Sequence, residues 1–192
     1  GRPGGWEGAK RMLTERGEAA VEGRKGGEGV MAVAGQRRAV NRIINRQVTE
    51  GTAEAAPILC RTGSLGGRLP ARDLVVAPTQ AVFIDGRLVP AALLLAGDSI
   101  IRLQDIVKIE YFQLQLETPD LLIAERVATE SYPDPRHPSG SFAGFTRLDK
   151  GTELEILRLR LLQRTLTPEA ASSLRGYIDH ADRQTVRGWA YD

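Results

Sequence analysis

Between residues 57 and 130 the apolar positions fall in short β-branched and aromatic runs bounded by turn residues, a pattern that predicts an all-β unit. Pro57 to Arg61 is one predicted strand, Asp73 to Ala77 a second and Ala81 to Asp85 a third. The third turns at Asp85-Gly86 into Arg87 to Val89. An Asp-Gly between apolar runs is a strong hairpin signal, because the tight primed turn needs positive φ. Pro90 to Leu95 reads as a short helical turn ending at Gly97, and Ser99 to Leu103 resumes as strand. The longest run, Ile106 to Glu117, alternates, with Ile109, Tyr111, Gln113 and Gln115 on one face and Glu110, Phe112, Leu114 and Leu116 on the other. Thr118-Pro119-Asp120 then turns the chain into Leu121 to Ala124.

Upstream the pattern is different. Residues 1 to 56 contain no Asp, Ser, His or Cys, and nine of the 21 glycines fall before residue 30. A stretch such as Glu22-Gly23-Arg24-Lys25-Gly26-Gly27-Glu28-Gly29 has little apolar surface to offset the entropy of ordering, so residues 1–35 are predicted to be a disordered Gly-rich segment. From Gln36 to Gln47 every charge is positive, and Arg38, Arg42 and Arg46 recur every four residues opposite Val40, Ile43 and Ile44. That spacing predicts a basic amphipathic helix. Such a face would neutralise phosphates, but no aromatic side chains are interleaved to stack on bases, so a solvated face is the plainer reading and nucleic acid is not expected as a partner.

Downstream, Pro133-Asp134-Pro135-Arg136-His137-Pro138 is too rich in proline to hold a strand ladder, and residues 135–150 read as a linker. Thr152 and Glu155 form a capping box ahead of Leu154, Leu157, Leu161 and Leu162, predicting a helix over residues 153–165. The alternation from Leu157 to Leu161 also fits a strand. Thr167-Pro168-Glu169 opens a second predicted helix with Gly176 past its end, and Tyr177 to Asp192 reads as a hairpin turning at Asp182-Arg183. Residues 151–192 are therefore expected to hold a helical segment and the start of a second module.

Composition narrows the class. The 192 residues are 42% hydrophobic and 26% charged with a net charge of +2, which fits one globular domain with flanks. No apolar run approaches the roughly 20 residues that a bilayer requires, so no membrane partner is expected. Gly1 to Lys10 lacks the apolar core of a signal peptide; if a parent protein is exported, its signal lies elsewhere. The start at Gly1 and the end at Trp189-Ala190-Tyr191-Asp192 read as those of a fragment. Cys60 is the single cysteine, which excludes an intramolecular disulfide framework. With only His137 and His180 beside it, no Cys/His zinc site and no cofactor are expected. In the run Pro57-Ile58-Leu59-Cys60 the thiol reads as a small core hydrophobe, His137 as a loop residue and His180 as a turn-stabilising one.

From Leu69-Pro70-Ala71-Arg72-Asp73-Leu74-Val75-Val76-Ala77-Pro78-Thr79-Gln80 through Asp85-Gly86-Arg87-Leu88-Val89-Pro90-Ala91, the chain resembles the bacterial Hint domain, the hedgehog/intein module. The resemblance continues through Glu110-Tyr111-Phe112-Gln113-Leu114-Gln115-Leu116-Glu117 and Asp120-Leu121-Leu122-Ile123-Ala124-Glu125 to Glu130-Ser131-Tyr132. It covers about residues 57–134, which correspond to the second half of the module. It implies a mainly β fold, a partial Hint-like twisted β horseshoe, with residues 36–134 as its domain and a small α-helical C-terminal appendage. In that family an amino-terminal Cys or Ser attacks the peptide bond before it, and the resulting N-to-S or N-to-O acyl shift leads to self-cleavage or splicing. A Thr-x-x-His element polarises the bond and protonates the departing amine.

Carried over residue by residue, the resemblance makes Thr79, Gln80 and Asp120 the positions of the family site. Where the family has Ser-Pro-Asp-His this chain has Ala77-Pro78-Thr79-Gln80, and where a His-Asp pair is expected it has Pro119-Asp120. A glutamine donates a hydrogen bond to a carbonyl but cannot shuttle a proton near neutral pH. Residues 1–59 hold no Ser or Cys, the first half of the module is not recognisable by motif, and Glu130-Ser131-Tyr132 lacks the His-Asn that inteins use. The resemblance thus implies a truncated or degenerate Hint domain without self-processing. Its alternative is a purely structural or interaction module, with neighbouring domains of its own parent chain as partners. Gly176-x-x-Asp179 followed by Gly188-Trp189-Ala190-x-Asp192 resembles the opening of a β-sandwich module found beside bacterial glycosyltransferases.

Overall fold

A type I′ turn marks the first predicted hairpin. Asp85 and Gly86 stand at φ of 49° and 81°, joining β8 (Ala81–Ile84) to β9 (Arg87–Pro90). The structure is a computed structural model and describes residues 6–7, 11–14, 16–21, 25–49, 55–104, 108–132, 145–166, 175–181 and 186–191. Its other predicted strands of the central region form close to where the apolar runs place them. They are β6 (Ile58–Cys60), β7 (Leu74–Val76), β10 (Ile100–Arg102), β11 (Lys108–Leu116) and β12 (Leu121–Ala124). β13 (Val127–Glu130) follows β12 through a second tight hairpin whose turn residues, Glu125 and Arg126, are non-glycine residues at φ of 47° and 66°.

The N-terminal region corrects the expectation of disorder. Within residues 1–35 the structure holds β1 (Trp6–Glu7), β2 (Arg11–Thr14), β3 (Gly17–Ala20) and β4 (Gly29–Met31). These short strands do not need a core of their own. Met12, Val21, Val30 and Ala32 are almost wholly buried, the first three in the same cluster as Leu116, Leu122 and Ala124, so apolar surface supplied by the rest of the chain offsets their ordering. The strand order is β10-β6-β7-β1-β11-β5-β4-β2-β12-β13-β8-β9-β14, with β3 on β2, so early strands lie between late ones.

The basic helix predicted from Gln36 is instead β5 (Arg37–Thr49), paired along most of its length with β11. A β-bulge explains the misleading period. Arg42 pairs with Gln115 but Val40 pairs with Leu116, leaving Asn41 as the extra residue. The bulge turns both Val40 and Ile43 toward the main core, a spacing of three that imitates a helix face in sequence.

Helix α1 (Thr152–Leu166) forms as predicted, but Gly151 stands at its N-cap: the Gly151 carbonyl accepts from the N–H groups of Leu154 and Glu155 at 3.1 and 3.3 Å. Leu154, Leu157 and Leu161 are buried in the same cluster as Leu65, Ile84 and Val127, so α1 is part of the β unit's core. The predicted linker is also partly structured. β14 (Thr146–Arg147) pairs in parallel with Arg87 and Leu88 at the sheet edge, and Leu148 is buried; residues 133–144 lie outside the described residues. Of the second predicted helix only Arg175 is described, and it belongs, with Gly176 past the predicted end, to β15 (Arg175–Ala181). β15 pairs antiparallel with β16 (Val186–Tyr191), the predicted terminal hairpin, whose turn lies outside the described residues. Among the described residues no helix is long and apolar enough to cross a membrane.

Candidate functional site

Pro78 and Thr79 are the central residues of a tight turn between β7 and β8, closed by the Gln80 N–H donating to the Ala77 carbonyl at 3.0 Å. Proline presets the first of these positions, and the turn delivers Gln80 to the inside of the sheet, where it is 5% exposed. Its carbonyl accepts from the Ala91 N–H at 2.9 Å and its side-chain amide donates to the Glu130 carbonyl at 2.6 Å. Gln80 thereby ties the turn to the end of β13. Thr79 is half-buried, and its carbonyl receives a long contact from Arg147 at 3.4 Å.

Asp120 reaches the same segment from the other side. Its N–H donates to the Ser131 hydroxyl at 3.1 Å and its carbonyl accepts from the Ser131 N–H at 3.0 Å. The carboxylate accepts from the Leu121 N–H at 2.7 Å and is paired with Arg38 of β5 at 2.6 Å. Gln80 and Asp120 therefore converge on the adjacent residues Glu130 and Ser131, and Thr79 is linked to Glu130 through Arg147; no hydrogen bond joins Gln80 to Asp120 among the described residues.

Glu130, Ser131, Arg38 and Arg147 complete the cluster; the sequence reading sets Arg38 on a basic face and Glu130-Ser131 at the end of the resemblance, but gives none of the four a role at the site. The Glu130 carboxylate accepts from the Ala81 N–H at 2.8 Å and from Arg147 at 2.9 Å. Burial pushes this carboxyl upward from its ordinary value, against the opposing pull of Arg147 and the Ala81 N–H. Only the position of Glu130 at the polar end of an alternating strand hints at it, and Arg147 falls in the predicted linker, where no pattern marks it. Arg147 also pairs with Asp149 at 3.3 Å.

Chemically, the cluster holds two part-buried carboxyls, Asp120 and Glu130, each paired with a guanidinium group, and one amide donor. Gln80 is aimed at a carbonyl of its own fold. His137 lies outside the described residues, and His180 is a position of β15. Cys60 is fully buried on β6 between β7 and β10, and desolvation pushes its thiol up to about 12, so the reactive thiolate is suppressed. Among the described residues no group of three or more His, Cys, Asp or Glu is placed to hold a metal ion.

Comparison with known proteins agrees with this architecture. A family model described as the Hint domain matches residues 7–136. The match starts in β1, so the strands that motif reading left unrecognised belong to the module. Among solved structures the chain is similar to a DnaB intein from Synechocystis, at 12% identity and a TM-score of 0.50, over 68% of this chain and 99% of that one. It is also similar to the MchDnaB-1 intein, at 10% identity and a TM-score of 0.48, over 68% and 100% of the two chains. The bacterial intein-like domain from Clostridium thermocellum is similar at 14% identity and a TM-score of 0.46, over 67% and 98%. No curated protein matches. With a mainly β curled sheet whose early and late strands interleave, and a family match across residues 7–136, the chain belongs to the Hint domain family.

Proposed function

We propose that this Hint domain has lost the self-cleavage of its family and serves as a β module that joins or displays neighbouring domains of its parent chain. The observation that carries the reading is Gln80. It stands where the family places an imidazole, and its amide is donated to the Glu130 carbonyl at 2.6 Å. An amide there holds the fold together but transfers no proton near neutral pH.

Two further features support it. The Asp120 carboxylate is already engaged by Arg38 and by the Leu121 N–H, so it is poorly placed to orient a neighbouring base. Cys60, the single cysteine of this sequence, is a buried, protonated thiol inside the sheet.

The test is self-cleavage by the full chain carrying an added upstream Cys, with and without Gln80→His, followed by gel and intact mass. With Gln80 in place no cleavage is expected; cleavage there overturns the proposal. Cleavage only with Gln80→His identifies a site that kept its geometry and lost its chemistry. A folded Gln80→His protein that stays intact favours a purely structural module.

A further inference from the structure

A second cluster lies at the opposite end of the β12–β13 hairpin from Asp120. β12 has four residues, about 13 Å of strand, so this cluster is separate from the Gln80 and Asp120 site. Arg11, Leu13, Glu18, Ile123 and Arg126 line a cleft of about 340 Å³. Its construction follows from strand alternation. On β2, Met12 and Thr14 point into the core, so Arg11 and Leu13 face the other way. Register then sets Leu13 opposite Glu18, and the Met12–Ala124 pairing brings β12, with Ile123, alongside.

The turn at Glu125 and Arg126 holds both residues at positive φ, a conformation that glycine or asparagine adopts at lower cost. Glu125 has a structural reason to be there. Its carboxylate is buried and accepts from the Arg11 N–H at 2.8 Å and from Arg72 at 2.7 Å. Arg126 has no such reason, since among the described residues no ion pair or hydrogen bond engages its guanidinium or that of Arg11. The carboxylate of the cleft, Glu18, is drawn to Arg72 at 2.6 Å. Its carboxyl is held below the ordinary value by that hydrogen bond, with Arg72, Arg11 and Arg126 adding positive charge around it. The cleft therefore offers two guanidinium groups that donate no hydrogen bond among the described residues, around the Glu18 carboxylate already held by Arg72, beside an apolar floor of Leu13 and Ile123.

We propose that this cleft binds an oxyanion, the carboxylate or phosphate group of a ligand, between Arg11 and Arg126, with Leu13 and Ile123 receiving an adjoining apolar portion. The planar guanidinium fork matches both oxyanions in two-point geometry. A strained arginine at the turn is kept because it aims that fork into the cleft.

The test is a titration of the full chain with inorganic phosphate, and separately with acetate, at fixed ionic strength balanced by chloride. The Nε–Hε signals of Arg11 and Arg126 are followed by ¹H–¹⁵N NMR. Saturable shifts at both signals are expected in at least one arm, and the arm that saturates identifies the preferred oxyanion. Arg126→Gly suits the positive φ, so it folds at least as well while removing one fork, and it is expected to weaken binding at least tenfold. Arg11→Gln, which keeps the backbone N–H used by Glu125, is expected to do the same, whereas Arg158→Gln on the exposed face of α1 leaves binding unchanged. Shifts that stay linear in both arms, or saturation undiminished in Arg126→Gly, overturn the proposal.

Discussion

Glu130 shows how one residue ties the turn at Pro78 and Thr79 to the sheet edge. Its carbonyl receives Gln80, and its carboxylate receives Ala81 and Arg147. Burial raises its pKa from the ordinary 4.5 more than Arg147 and the Ala81 N–H lower it. The folded chain therefore holds that proton more tightly than the unfolded chain. The associated stability is fully present below the unfolded value and is lost as pH rises through the raised folded value. Glu130→Gln cannot ionise and escapes this loss. The stability of the wild type relative to Glu130→Gln is thus expected to fall as pH rises from the ordinary 4.5 through the raised folded value, measured as urea midpoints. A difference that grows with pH would mean that Arg147 outweighs desolvation. At this scale the sequence is legible for Gln80 and Asp120, because the local turn motifs around Pro78 and Pro119 carry them. Glu130 and Arg147 are not legible, because only tertiary pairing brings β13 and β14 to the turn.

Elements follow the same division. The hairpin at Asp85-Gly86 is readable because its turn chemistry is local, and both residues do take positive φ. β5 is misread because the bulge at Asn41 breaks the two-residue alternation that marks a strand, and its partner β11 lies over sixty residues away. β2 and β3 carry a readable signal in Met12-Leu13-Thr14 and the turn glycine Gly17 at φ of 99°, but the glycine-rich surroundings mask it. Helix α1 is legible as a helix and not as a core element, since a leucine stripe does not say which surface it covers. Leu161 is fully buried among core residues of the sheet, so Leu161→Ala is expected to lower the stability of the whole β unit by about 2–5 kcal/mol. Exposed Leu159 is the control, where alanine changes stability by less than about 0.5 kcal/mol. Equal effects, or a loss confined to the helix signal with the sheet's urea midpoint unchanged, would show α1 to be an appendage.

For the whole molecule, the interleaved strand order makes the fold one cooperative unit. β1 lies between β7 and β11, and β2 between β4 and β12, so the N-terminal strands close a sheet that the later strands begin. That arrangement explains why residues 57–134 alone carry the recognisable motifs while the fold extends from β1 to α1. Turn signatures are concentrated in the later half, and the earlier half supplies mainly short strands and buried apolar side chains, which leave a weaker mark in sequence. On the proposed reading, this fold is retained while Gln80, donated to the Glu130 carbonyl, and Asp120, paired with Arg38, serve the structure and not proton transfer. Intact mass of the folded chain, carried with its natural upstream sequence and followed over time with and without dithiothreitol, addresses this directly. A single unchanging mass under both conditions is the expected result, and a thiol-dependent loss of mass at a Cys or Ser ahead of the domain would contradict it.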